Sequence, residues 1–154
     1  MPLKDELKKR GPFSSVEQEA TLSILRTSDL LENRIARLLR EHGLTMTQYN
    51  VLRILRGEGK PMPCLEVAHR MIQVAPAITR VVDQLLELKL ITKTQSDEDR
   101  RVFTIEITTA GMRLLKKLDL PVIDLHASLL SSVSASDLKL LIRILENVRT
   151  GISA

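Results

Sequence analysis

The stretch VAPAITRVVDQLLELKLITKTQSDEDRRVFTIEITTAG, residues 74–111, changes its hydrophobic period halfway along, and that change decides the fold. In its first half Ile78, Val81, Val82, Leu85 and Leu88 recur at mixed three- and four-residue steps, the spacing of one face of an α-helix. Pro76 stands where a first helical turn tolerates proline, so a helix is predicted from there to about Lys89. From Leu90 to Gln95 and from Arg101 to Thr108 the residues alternate instead. Phe103, Ile105 and Ile107 fall on one side, Thr104 and Glu106 on the other. The polar connector SDEDR, residues 96–100, joins the two runs into a hairpin. Thr108 and Thr109 then open another helix.

Upstream, a short helix is predicted from about Pro63 to Met71, with Leu65, Val67, Ala68 and Met71 facing inward. Before it, Thr45 or Thr47 caps a helix whose apolar face is Tyr49, Val51, Leu52, Ile54 and Leu55; Gly57, Gly59, Pro61 and Pro63 end it. Ala20, Ile24, Leu31, Ile35, Leu38 and Leu39 mark a longer helix of about 26 residues, with Ser15 as its N-cap and Gly43 at its end. The charged residues before Gly11 and Pro12 form a loose arm. Downstream, Leu114, Leu115 and Leu118 share one helical face, and Pro121 bends or interrupts that helix before Val122, Leu125, Leu129 and Leu130 resume it. Ser134 and Asp137 suit the cap of a last helix striped by Leu138, Leu141, Ile144, Leu145 and Val148.

Three short helices followed by a hairpin are the layout of a winged helix-turn-helix. The expected fold class is therefore mainly α, with a two-stranded β-hairpin wing. Residues 1–154 are expected to form one domain, with the winged helix lobe at 45–108 and flanking helices at 13–42 and 109–152. Those N- and C-terminal helices carry stripes too long for a small domain to bury alone. A second copy of the chain is the economical cover, so they are expected to be dimerisation helices of a homodimer.

Composition narrows the function. Apolar residues make up 44% of the 154, enough for a core, which excludes a disordered tail. Aromatics are 2% (Phe13, Tyr49 and Phe103), so that core is aliphatic. The net charge of +4 attracts polyanions without identifying one. Residues 47–108 hold nine Lys and Arg against eight Asp and Glu, so charge alone does not mark the lobe. Cys64 has no partner for an internal disulfide, which suits a reducing compartment. The charged start is no signal peptide and no apolar run approaches a membrane span, so a cytoplasmic protein off the membrane is expected. His42, His69 and His126 pair with neither one another nor Cys64 at ligand spacing. No nucleophile, base and orienter come together, and no glycine loop suits a phosphate. No metal, cofactor or enzymatic activity is expected.

Four pieces, in order, carry a resemblance to a known family. LTMTQYNVLRIL, residues 44–55, has a Leu-Thr, a Gln and an apolar run; VAPAITRVVDQLLELKLI, residues 74–91, sets Thr79, Arg80, Val82 and Asp83 at matching places. SDEDRRVFTIEIT, residues 96–108, contains the Asp-x-Arg pair Asp99 and Arg101, and ITTAGMRLL, residues 107–115, leads out with Ile in place of Leu. Together they resemble the multiple antibiotic resistance regulator (MarR) family of winged helix-turn-helix transcription regulators. The resemblance implies a homodimer that binds a pseudo-palindromic operator in double-stranded DNA and regulates transcription, most often by repression. It implies relief by a small phenolic or other lipophilic effector held between the dimer helices and the DNA-binding lobe, which alters the separation of the two recognition helices. It also implies that Asp99 orients Arg101 by pairing with it.

A helix entering the major groove presents its first two turns to base edges. Here those positions are Gln73, Ala75, Pro76, Ala77, Thr79 and Arg80. Arg80 suits a guanine, Gln73 an adenine, and Ala77 and Thr79 offer methyl groups to thymine. Arg100 and Arg101 at the wing tip suit a narrow minor groove. Many relatives carry serines where this chain has Ala75 and Ala77, so readout leans on Gln73, Arg80 and DNA shape. Two further readings share the fold: a redox or metal sensor using Cys64 or a histidine, and a winged helix that binds protein instead of DNA. Cys64 begins a helix, a place that favours thiolate, although packing is the simpler expectation.

Overall fold

A computed structural model describes residues 1–73, 78–95 and 102–153. The chain divides into two units, Met1–Asp119 and Leu120–Ala154. In the first, α1 (Leu3–Glu6) precedes the long α2 (Val16–Arg40), then come α3 (Met46–Glu58), β1 (Met62–Pro63), α4 (Cys64–His69), α5 (Ile78–Glu87), β2 (Ile91–Gln95) and β3 (Phe103–Ile107). Helix α6 (Thr109–Leu129) starts in this unit. The mainly helical winged helix expectation holds.

Local chemistry explains most of the boundaries. Ser15 caps α2 by accepting the Gln18 N–H at 3.2 Å. Thr45, not Thr47, caps α3: its hydroxyl accepts the Gln48 N–H while the Gln48 side chain accepts the Thr45 N–H, a reciprocal box. At the end of α2, Gly43 takes φ +74°, the Leu44 N–H reaches Leu39 O and the Gly43 N–H reaches Arg40 O. The same two bonds recur after α5, where Leu90 N–H donates to Leu85 O and Lys89 N–H to Leu86 O. There the left-handed position is Lys89 (φ 57°), which lacks glycine's freedom.

The three strands pair antiparallel in the order β1-β3-β2, so the sheet has one strand more than the hairpin read from the sequence. The added strand is β1, with Met62 opposite Ile105 and Pro63 opposite Thr104. Pro61 and Pro63 read as breakers, yet an edge strand accommodates Pro63, which has no N–H. Ile91 pairs with Ile107 and Gln95 with Phe103 across β2 and β3. Leu39, Val51, Leu52, Leu55, Val67, Val82, Leu85, Ile105, Leu115 and Leu118 are fully buried beneath the sheet and helices. Each such side chain contributes about 1.5–3 kcal/mol.

Three expectations need correction. The loose arm contains the helical turn α1, tied down by Glu6, whose carboxylate accepts from Arg26 Nε at 2.7 Å. Leu65 is 73% exposed, because α4 buries Val67 and half-buries Cys64, Ala68 and Met71, a stripe at three- and four-residue steps that leaves Leu65 on the far side. Of the two readings of Pro121, interruption is overturned, because it lies inside α6, which continues to Leu129. Having no N–H, Pro121 gives no helical hydrogen bond to the Lys117 carbonyl.

In the second unit the rest of α6 is followed by α7 (Ala135–Ser153). Ser134 caps α7 by accepting the Asp137 N–H at 3.2 Å and donates to the Asp137 carboxylate at 2.7 Å. No residue of α7 is buried; Leu140, Leu141, Ile144 and Val148 all stand in the open.

Candidate nucleic-acid interface

Helix α5 has two faces. Val82 and Leu85 are buried, whereas Thr79, Arg80 and Asp83 are exposed. Gln73, beyond α4, is also exposed. The structure therefore sets Gln73, Thr79 and Arg80, three of the residues expected to read base edges, at the surface. Ala75, Pro76 and Ala77 lie outside the described residues, as do Asp99, Arg100 and Arg101.

On the hairpin strands, Lys93 Nζ lies 4.6 Å from the centre of the Phe103 ring, a cation–π contact that leaves an exposed positive charge on the sheet. The sequence pattern placed Phe103 in the row with Ile105 and Ile107; in the structure it is 38% exposed, whereas Ile105 is fully buried.

Several polar side chains that sequence reasoning passed over fix α5 and its supports. Gln48 is 7% exposed. Its Oε1 accepts the Thr45 N–H at 2.9 Å and its Nε2 donates to Gln84 Oε1 on α5 at 3.2 Å. Asn50 Oδ1 accepts the Ile72 N–H at 2.9 Å, just before Gln73. Arg70 donates to Glu58 at 2.7 Å and to Glu66 at 2.9 Å, tying α4 to the end of α3. Its guanidinium lowers the pKa of Glu58 from the ordinary carboxylate value. The signal for Gln48 was available in the Thr-x-x-Gln spacing; the others answer partners remote in sequence.

Helix α6 is held to α3 by a bidentate pair. Arg56 donates from Nη1 to Asp119 Oδ2 at 3.0 Å and from Nη2 to Oδ1 at 2.7 Å, with Arg53 Nη1 3.5 Å from the same Oδ1. Those bonds from Arg56 hold the Asp119 carboxyl below its ordinary pKa. Cys64 behaves otherwise: burial pushes its thiol pKa up, against a smaller opposing effect of Lys93. Among the described residues no group of three or more His, Cys, Asp or Glu side chains could hold a metal ion, and no helix is long and apolar enough to cross a membrane.

A helix with one buried and one exposed face, two helices that brace it and a hairpin after it define a winged helix-turn-helix protein. The sequence model of the MarR family matches residues 44–103. A MarR transcription factor from Planctomyces limnophilus is 38% identical, with a TM-score of 0.69 over 88% of this chain and 98% of that one. The chain belongs to the MarR family. It is also 37% identical over 86 residues to an uncharacterized HTH-type transcriptional regulator, YpoP of Bacillus subtilis (strain 168); the match covers 56% of this chain and 60% of that protein. The chain thus matches well under two thirds of that relative's length. The MepR–DNA complex of S. aureus shares the fold, with a TM-score of 0.76 at 18% identity over 85% of this chain and 96% of that one.

Proposed function

We propose that this protein is a sequence-specific DNA-binding transcription regulator that acts as a homodimer on a pseudo-palindromic operator. The observation that carries this is the two-faced α5, with Arg80 and Thr79 exposed and the opposite face buried in an aliphatic core. An arginine so placed donates two bonds to a guanine edge. That a member of the same fold has been captured on DNA supports the reading.

The homodimer follows from exposed aliphatic side chains. Ile24, Leu25 and Leu30 on α2, and Leu140, Leu141, Ile144 and Val148 on α7, are each more than a third exposed. A second copy is the cover proposed for them, and dimer symmetry sets two reading helices at half-sites about 34 Å apart. The protein acts in the cytoplasm as a repressor, and a small lipophilic or phenolic effector releases it. Arg100 and Arg101 contact the minor groove, with Asp99 orienting Arg101. The raised pKa of Cys64 counts against a redox switch at that thiol.

The test is selection from a random duplex pool, with sedimentation of the free protein. The expected result is a dimer that enriches a two-fold symmetric site and binds it with a dissociation constant of about 10⁻⁸ M or tighter. A monomer that enriches no sequence would overturn the proposal.

A further inference from the structure

The Gln48 amide is buried on the face of α3 that also carries Val51, Leu52 and Leu55. Burying an amide is costly unless its bonds are made. Capping α3 needs only an acceptor, and glutamate serves that role as readily as glutamine. The cap therefore does not explain why an amide stands here. Its other half does: with Oε1 committed to the Thr45 N–H, Nε2 faces Gln84, whose Oε1 accepts at 3.2 Å.

Gln84 lies one turn beyond Arg80 on α5, at the border between the buried Val82 and Leu85 and the exposed Asp83. Aliphatic packing is non-directional and tolerates a modest rotation of a helix about its axis. A hydrogen bond does not. At a helix radius of about 6 Å, a 20° rotation displaces surface side chains by roughly 2 Å, enough to lose a bond to a base edge. Asn50, two residues along α3, accepts the Ile72 N–H and so holds the backbone just beyond α4. Helix α3 thus bonds to Gln84 on α5 and to the backbone at Ile72.

We infer that Gln48 and Gln84 are positioning residues, an amide lock across α3 and α5 that sets which side chains of α5 meet which base edges. This rests on the DNA-binding reading above. Neither residue needs to touch DNA.

The lock needs one donor and one acceptor, which makes it testable by a double-variant cycle in the full-length protein. Gln84→Glu keeps the acceptor for Gln48. Gln48→Glu keeps the cap, and a half-turn of the Gln84 amide supplies the donor. The double variant has two acceptors and no donor. Each protein is passed through the same random duplex selection, and urea unfolding supplies the folded fraction used to normalise binding. Each single variant is expected to keep the wild-type preference at every operator position, with overall affinity lowered evenly by the added negative charge. In the double variant, discrimination against one mismatched pair, normally on the order of 10- to 100-fold, is expected to fall to within about 3-fold. Gln84→Met, close in size and lacking the acceptor, reports the same loss in a protein that retains helix propensity, should the double variant not fold. If wild type selects a site and the double variant and Gln84→Met both keep its full preference, the lock is refuted while DNA binding stands. If wild type selects no site, the DNA-binding reading fails and the lock with it.

Discussion

Replacing Gly111 with alanine should destabilise the protein, against the rule that alanine improves a helix. Gly111 lies in the first turn of α6, where its N–H donates to Thr108 Oγ1 at 3.1 Å. A Cβ added there would lie 2.5 Å from the Leu90 carbonyl oxygen and 2.7 Å from Ile107 Cγ1. An ordinary carbon–oxygen contact is about 3.3 Å or longer, so the backbone must move by roughly 0.8 Å. The isoleucine can shift; the carbonyl is less free, because it accepts the Thr108 N–H at 3.0 Å. Against a helix-propensity gain of about 1 kcal/mol stand an overpacking cost of about 1–3 kcal/mol and a weakened hydrogen bond of about 1 kcal/mol. The net expectation is a loss of about 1–3 kcal/mol. Gly57, in α3, meets nothing within 4 Å, and Gly57→Ala should instead stabilise by about 0.5–1 kcal/mol. Urea unfolding followed by circular dichroism, at one fixed protein concentration, measures both. With a denaturant slope of about 2 kcal/mol/M, the Gly111→Ala midpoint should fall by roughly 0.5–1.5 M and the Gly57→Ala midpoint rise slightly. A Gly111→Ala midpoint at or above wild type would refute the reasoning.

Lys89→Gly should raise stability by about 1 kcal/mol in the same assay, since the left-handed backbone at φ 57° costs a lysine what it does not cost glycine; no gain would mean the position is unstrained. Asp119→Asn should lower stability by about 1 kcal/mol at neutral pH, a figure already reduced for solvent screening because Asp119 is about a third exposed. Because the folded-state pKa of Asp119 is depressed, the pair contributes fully above the ordinary value of 3.8. The gap between wild type and variant should therefore hold above about pH 5 and close as pH falls through and below that value; a gap unchanged at low pH would exclude the ion pair as its source. In gel shifts at two salt concentrations, Arg80→Ala should cost about 1–3 kcal/mol on the selected site and relax preference at one base pair per half-site. Arg101→Ala should weaken many sequences alike and make the salt slope shallower by about 0.9 for each phosphate that the arginine neutralises. Equal effects of the two on selectivity would remove the distinction between helix and wing.

What the amino-acid order determined by itself is what acts over four residues or fewer. The period change after Leu88 separated α5 from β2, and the stripe of Val51, Leu52 and Leu55 placed α3. Ser15 and Gly43 bounded α2 through bonds to near neighbours, and the Thr45 box resolved a choice the sequence had narrowed to two. Such signals are legible because donor, acceptor and burial period lie within one turn of the same helix. Tertiary structure decided the rest. Glu6 finds Arg26 and turns an arm into α1; Met62 finds Ile105 and makes a strand of a proline-rich link. Gln48 meets Gln84 across 36 positions and Arg56 meets Asp119 across 63, and neither partner can be read from its own surroundings. The need for glycine at position 111 is likewise set by Leu90, on the turn before β2, because a missing Cβ matters only when another segment returns to occupy its place.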